Sequence, residues 1–286
     1  MRFKFIADHR ERWPIKTMCR LLKVARSGFY QWLKNQTRPE TAQEKRESRL
    51  SRLITVIHGQ HKDYGSPRIH REIIAHRETC NVKTVARLMR KAGIQARRKR
   101  KFVSTTDSNH QLPVAENLLN RDFTAAKPNQ KWVADTTYIG TDLGWIFLTT
   151  IMDLFSRRII GWKISDRIDA QLAADALQMA IRLRRPDPGL IVHTDRGSQF
   201  CSETFQNLLL NHDLVPSMSR RGNCWDNAVM ESFYRSLKTE CVCWENYVCS
   251  LDVQRSLNKY IEQYYNRIRR HSSLDYVSPV EFELAI

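Results

Sequence analysis

Trp132-Val133-Ala134-Asp135-Thr136-Thr137-Tyr138-Ile139, followed by Trp145 to Asp153 and Ile159 to Ser165, decides the fold. These stretches are short, rich in β-branched and aromatic residues, and punctuated by Gly140, Gly144 and Gly161, so they read as three consecutive strands. Asp169 to Arg184 then carries Leu172, Ala173, Ala176, Leu177, Ala180 and Leu183 on one helical face, and Pro186-Asp187-Pro188-Gly189 ends it. Leu190 to Thr194 is an apolar fourth strand whose far end delivers Asp195. Glu203 to Asn211 reads as a helix, Leu214 to Met218 as a fifth strand, and Asp226 to Glu240 as a helix. The order predicts an α/β domain: a mixed five-stranded sheet with flanking helices.

Outward from this core the charge is uneven. Residues 1 to 101 hold 27 Lys and Arg against 8 Asp and Glu, a net +19, whereas the remaining residues hold 20 against 22, a net −2. A basic front half joined to a near-neutral back half is the footprint of a nucleic-acid-binding arm on a differently employed domain. Two or three domains suit 286 residues. The expected division is 1-58 and 59-101 as two DNA-binding helical regions, 102-124 as a linker, and 125-286 as the catalytic core with a helical extension.

The front half predicts small all-α helix-turn-helix modules. Met18, Leu21 and Leu22 recur at helical spacing, Val24 follows as a buried turn residue, and Ser27 can cap a second helix carrying Phe29, Tyr30 and Leu33. Arg26 and Ser27 open that second helix and are candidate DNA contacts; an ordinary helical hairpin is the alternative. In a second hairpin, Gly65-Ser66-Pro67 breaks the preceding helix, Ile69, Ile73 and Ile74 form a face, and Asn81 leads into Val85, Leu88 and Met89 before Gly93. It reads equally as a DNA-reading or a structural hairpin. Arg97, Arg98, Lys99, Arg100 and Lys101 form a basic run suited to lying along phosphate, or simply to solvation.

Seven scattered cysteines without a Cys-x-x-Cys pair fit neither a disulfide framework nor a four-ligand zinc site. Cys241, Cys243 and Cys249 read as packing residues rather than ligands, and a reducing cytosol follows. No apolar run is long enough to cross a bilayer, so no membrane is involved.

Asp135 on the first strand, Asp195 just after the fourth and Glu231 on the last helix are the candidate catalytic and metal-binding acids. Any one aspartate near a strand end is commonly a turn residue or cap. Three convergent carboxylates, however, suffice for two divalent cations that also bind a scissile phosphate. His193, Gly197 and Ser198 read either as orienting the loop at Asp195 or as plain loop residues.

The element order resembles the ribonuclease-H-like fold. The segments Trp132 to Tyr138, His193-Thr194-Asp195-Arg196-Gly197-Ser198-Gln199-Phe200 and Ser219 to Phe233, with 35 residues between Asp195 and Glu231, resemble the integrase core of insertion-sequence transposases of the IS-three family. Tyr265-Asn266 through His271-Ser272-Ser273-Leu274, with Ser278-Pro279, resembles its C-terminal motif, and the hairpin around Tyr64-Gly65 its region ahead of the core. The resemblance implies that Asp135, Asp195 and Glu231 hold two Mg2+ ions, or Mn2+ in their place. It also implies a DNA-contacting role for Lys238, seven positions after Glu231; that spacing puts it on the same helical face, about 10 Å along the axis. Tyr234 and Arg235 are further candidates, and Gly222-Asn223 a bending loop ahead of the helix.

The implied activity is DNA transposition: binding of terminal inverted repeats, metal-dependent cleavage at an element end, and transfer of the 3′-hydroxyl to another phosphodiester, by way of a circular intermediate. Target DNA, a homodimer or higher multimer and the product of an upstream reading frame are the implied partners, in the bacterial cytoplasm at the nucleoid. Family members are commonly fusions with that upstream frame, whereas this chain starts at Met1 without an obvious leucine heptad. The competing readings are a non-catalytic DNA-binding regulator of transposition and a nuclease of the same fold that cuts without joining.

Overall fold

The computed structural model describes residues 1–97, 113–220 and 223–285. Helices α1 (Arg2–Asp8), α2 (Ile15–Leu21) and α3 (Arg26–Thr37) close around a small core of Ile6, Met18, Cys19 and Phe29. Leu21 and Tyr30 face solvent instead of this core. Ala25, not Ser27, occupies the N-cap of α3, where no side chain caps the helix. Ser27 therefore sits exposed inside the first turn beside Arg26.

The second module has three helices, not two. α4 (Ala42–Gln60) begins with a capping box between Thr41 and Glu44, and its Leu50, Ile54 and Ile57 share a core with Tyr64, Ile69, Ile73, Val85, Leu88 and Met89. α5 (Ser66–Ala75) carries Pro67 in its first turn, and α6 (Val82–Lys91) is capped by Asn81, whose side chain accepts from the Thr84 amide at 2.7 Å. A division at 58/59 would part Leu50, Ile54 and Ile57 of α4 from the residues they pack against. The change of unit falls between α3 and α4.

Strands β1 (Lys131–Thr141), β2 (Gly144–Asp153), β3 (Ile159–Ser165), β4 (Ile191–Thr194) and β5 (Val215–Met218) form one sheet in the order β3-β2-β1-β4-β5. β1, β2 and β3 are antiparallel neighbours, while β4 lies parallel to both β1 and β5. α7 (Ala170–Arg184), capped by Asp169, covers one face with the short α8 (Ser198–Cys201) and α9 (Glu203–Asn211). Gly161 permits the closeness of α7: a Cβ there would overlap the Ala176 carbonyl oxygen.

The opposite face is covered by α10 (Ala228–Glu240), entered through a 3-10 turn at Cys224–Asn227, and by α11 (Ser250–Asn258) with its π-helical continuation Lys259–Tyr265. Alternation along β1 sends Val133 to this face and Trp132 to the other. The segment expected to be the end of a linker is part of this core. Leu119 is buried, and its amide and that of Leu118 donate to Ser217 Oγ of β5.

The tail from Asn266 to α12 (Pro279–Leu284) closes the edge of the sheet. Asn266 is buried and pairs with the backbone of Ile159, accepting from its amide at 3.0 Å and donating to its carbonyl at 2.9 Å. One amide side chain thus takes the place of a missing neighbour strand. The second helical module docks on the same region: Tyr64 Oη accepts from the Arg270 amide, Arg270 pairs with Glu72, and the Arg97 guanidinium lies 4.5 Å from the Trp244 ring centre. Among the described residues no helix is long and apolar enough to cross a membrane.

Candidate active site

Strand pairing assembles the first two acids. Val133 is level with His193 across the parallel β1–β4 pair, so two residues further on Asp135, still within β1, and Asp195, just past β4, lie at one level and on one face. The Asp135 carboxylate accepts from the Thr136 amide at 2.7 Å, and the Asp195 carboxylate from the Gly197 amide at 2.9 Å. Burial, and next the charge of Asp195, hold the Asp135 carboxyl well above the usual carboxylate range; Glu231 pushes in the same direction and Lys238 against it. Such a site selects cations with oxygen-ligand preferences.

α10 is tied to this pair by Tyr234. Its buried hydroxyl donates to the Asp135 carbonyl oxygen at 2.5 Å and pairs with Thr150 Oγ1 at 2.8 Å. Sequence reasoning offered Tyr234 as a DNA contact; with its hydroxyl sealed inside the sheet–helix interface it positions α10 instead. Glu231, one turn earlier, is exposed and its charge is felt at Asp135. Among the described residues no three acid, His or Cys side chains stand close enough to hold a metal ion as they lie. The all-oxygen donor set of the three carboxylates suits magnesium or manganese.

Lys238 is almost buried, its ammonium 4.6 Å from the Tyr138 ring centre, and burial pulls its pKa down. Arg235 is exposed on the helix face of Glu231. Arg97 is turned toward Trp244; Arg98, Lys99, Arg100 and Lys101 lie outside the described residues, as does Gly222. Cys241 contacts Ser256 Oγ and Tyr247, and Cys249 contacts Asp252, in keeping with packing roles.

The two readings of the Asp195 flank resolve differently. His193 belongs to β4 and bridges Ser217 Oγ at 2.9 Å and Ser219 Oγ at 3.1 Å, and burial pushes its imidazole down to about 4. It is a neutral clamp that ties β4 to β5 and to Ser219 just beyond it. Gly197 has ordinary backbone angles, φ −64° and ψ 141°. A Cβ there would strike the Gln199 side chain at 2.5 Å, so closeness and not a special turn explains it.

Asp226 is a residue that sequence reasoning overlooked. It is fully buried and gathers Arg220, Arg121 and Asn117: Arg220 donates through its amide, Nε and Nη2 at 2.8–2.9 Å, Arg121 through Nε at 2.9 Å and Asn117 through Nδ2 at 2.9 Å. This clamp joins the residues ahead of β1 to the entry of α10. The available signal was an acid six positions after an arginine at the head of a helix, a spacing readable only once the loop between them is known.

A mixed sheet in this order, with one acid inside β1, one just past the end of its parallel neighbour β4 and a third on α10, defines an integrase-type nucleotidyl transferase core behind helical DNA-binding modules. The family and sequence comparisons agree. Residues 125–224 and 212–279 match integrase core domain models, and 45–102 match an HTH-like domain model. The chain is 46% identical over 283 residues to the transposase InsF for insertion sequence IS3A of Escherichia coli (strain K12), covering 99% of this chain and 98% of that one. It is 40% identical over 266 residues to the insertion element IS600 uncharacterized 31 kDa protein of Shigella sonnei, covering 93% and 97%. Among solved structures it is similar to the HTLV-2 integrase catalytic core domain in complex with magnesium, at 18% identity, TM-score 0.45, and coverage of 56% of this chain and 99% of that one. The chain belongs to the IS-three family of insertion-sequence transposases, DNA transposases with a DDE-type integrase core.

Proposed function

We propose that Asp135, Asp195 and Glu231 are the acids with which this transposase cuts insertion-sequence ends and transfers the 3′-hydroxyl to a second phosphodiester, and that they hold two Mg2+ ions, or Mn2+. The observation that carries this reading is the half-buried Asp135 level with Asp195 just past the neighbouring parallel strand, with Tyr234 pinning the Glu231 helix to the Asp135 carbonyl. Two divalent cations supply activation of the attacking oxygen and stabilisation of the leaving oxygen. The chain's own part is positioning: Thr136 and Gly197 fix one oxygen of each aspartate through their amides, and the exposed Glu231 is left to move toward them. Arg235 and Lys238 suit the terminal phosphate or base of the element end, since both follow Glu231 along α10.

The exposed Arg26 and Ser27 on α3 and the basic second module suit the inverted repeats, with the run Arg97 to Lys101 along the backbone. Pairing two ends requires a dimer or larger assembly, and the product of an upstream reading frame is a further partner implied by the family. The test is strand joining by the full chain on labelled DNA carrying the element's ends, with magnesium or manganese, beside Asp195→Asn. Metal-dependent joined products that vanish in the variant are expected. DNA binding without any cut, even with the upstream product added, contradicts the reading, and cutting without joining reassigns the chain to a nuclease.

A further inference from the structure

The motif Tyr265 to Leu274 meets the second helical module through Arg270, and its Tyr265, Asn266 and Arg269 side chains are buried. It walls a cleft of about 320 Å³ whose other sides come from Arg68 on α5 and from Ser232 and Ser236 on α10. Arg157 and Arg269 also line it. Three guanidinium groups thus face one opening.

Their compensation is incomplete. Arg269 is buried and satisfied, donating to both oxygens of Glu240 at 2.7 and 2.6 Å and to Ser236 Oγ at 3.0 Å. Arg68 lies 3.7 Å from the same carboxylate. Asp63 stands behind it, its carboxyl pushed up to about 6 by burial and then by Glu240. Asp153 is a third carboxylate, whose charge reaches Arg157, so the three guanidinium groups are matched in number but not all in hydrogen bonds.

Arg157 is the least satisfied. It occupies the β2–β3 turn at φ 60°, a strained conformation for a long side chain. Nη2 donates to the Phe123 carbonyl at 3.0 Å, whereas the buried Nη1 has no hydrogen-bond partner. An unpaired donor on a buried cation is costly unless a ligand completes it. The field is visible at His271, whose imidazole is pushed down to about 2 by burial and then by Arg269, Arg68 and Arg157. His271 Nε2 instead accepts from Arg269 Nη1 at 3.1 Å.

We propose that this cleft binds one backbone phosphate of the DNA, at a point separate from the three acids. A phosphodiester matches the donor set: guanidinium groups within, and hydroxyls of Ser232, Ser272 and Ser273 exposed at the lip. DNA is favoured over a free anion by place. Ser232 follows Glu231 directly on α10, so a strand laid over Glu231 passes the lip about a quarter-turn around the helix. The inference rests on Glu231 lying at the reacting phosphate.

The test measures binding of the full chain to element-end DNA in chelator, so it stands apart from cleavage. Single phosphates are replaced in turn by neutral methylphosphonates. Arg157→Gln is expected to weaken binding roughly ten-fold and to lower the salt slope by about one. One methylphosphonate that costs the parent chain a similar factor is expected to cost the variant nothing. Because Arg157→Gln also alters a strained turn, the exposed pair Ser272→Ala and Ser273→Ala is run alongside, with a smaller loss expected at the same phosphate. Losses that multiply at every phosphate in both variants, or parent-like binding with an unchanged unfolding midpoint, overturn the proposal. So does broadening of the 31P signal of inorganic phosphate by the parent and not by Arg157→Gln without any phosphate-specific effect in DNA, which assigns the cleft to a free anion. Absence of joining by the parent in magnesium counts against the acids alone.

Discussion

Tyr234 shows how much one hydroxyl does at the residue scale. Its bond to the Asp135 carbonyl contributes only about 1 kcal/mol to folding, yet it sets where α10 sits against β1. Tyr234→Phe is therefore expected to unfold near the parent temperature while joining falls about 10–100-fold, as for residues that orient ligands; joining at the parent level would assign Tyr234 to packing only. His271 makes a second prediction. Its folded pKa of about 2 lies below the ordinary 6.5, so the unfolded chain takes up the proton first as pH falls. The stability tied to the neutral imidazole is complete above pH 6.5 and lost below it. The unfolding free energy of the parent relative to His271→Gln should drop by about 1.4 kcal/mol per pH unit below 6.5, read from urea midpoints at several pH values. A pH-independent difference would show that His271 titrates normally.

At the element scale the entry to α10 depends on the Asp226 clamp. Asp226→Ala leaves Arg220 and Arg121 unpaired and frees the loop from the residues ahead of β1. Since both arginines are half exposed, a loss of about 2 kcal/mol is expected, short of that for a sealed pair, with joining lowered further than binding. Equal losses in both would mean that the clamp is only structural. Asn266→Ala strips the amide and carbonyl of Ile159 of their partners and should cost about 2–3 kcal/mol, measured by thermal unfolding. The strands and α7 were legible because each is a local pattern: alternation in Trp132 to Ile139, a helical stripe from Leu172 to Ala180, although Leu183, read on the same face, is exposed. Ser27 and Leu21 were misplaced because a short helix shows too few turns for its phase to be read. α4 was split because Leu50, Ile54 and Ile57 gain meaning only beside Tyr64 and Ile69.

On the scale of the whole molecule, the flanks of the three acids suffice to propose them, whereas the contacts that unite the modules leave no local signal. Arg270–Glu72, Arg97 over Trp244 and Arg121–Asp226 each join residues far apart in sequence, between types that are usually surface charges. Nothing local distinguishes such a pair from solvated side chains. The same distance hid the arginine cleft, which needs α5, the β2–β3 turn, α10 and the tail at once. These ties place the second helical module against the unit that carries the sheet.

The most direct test of the central claim, that Asp135, Asp195 and Glu231 act together at one cation site, is single-turnover strand joining by the parent, by Asp135→Asn, Asp195→Asn and Glu231→Gln, and by the triple variant, all checked for folding and end binding. Residues that act as one unit are non-additive: each single variant should be as inactive as the triple while still binding DNA. A single variant that keeps metal-dependent joining near the parent rate would remove that residue from the site and contradict the account.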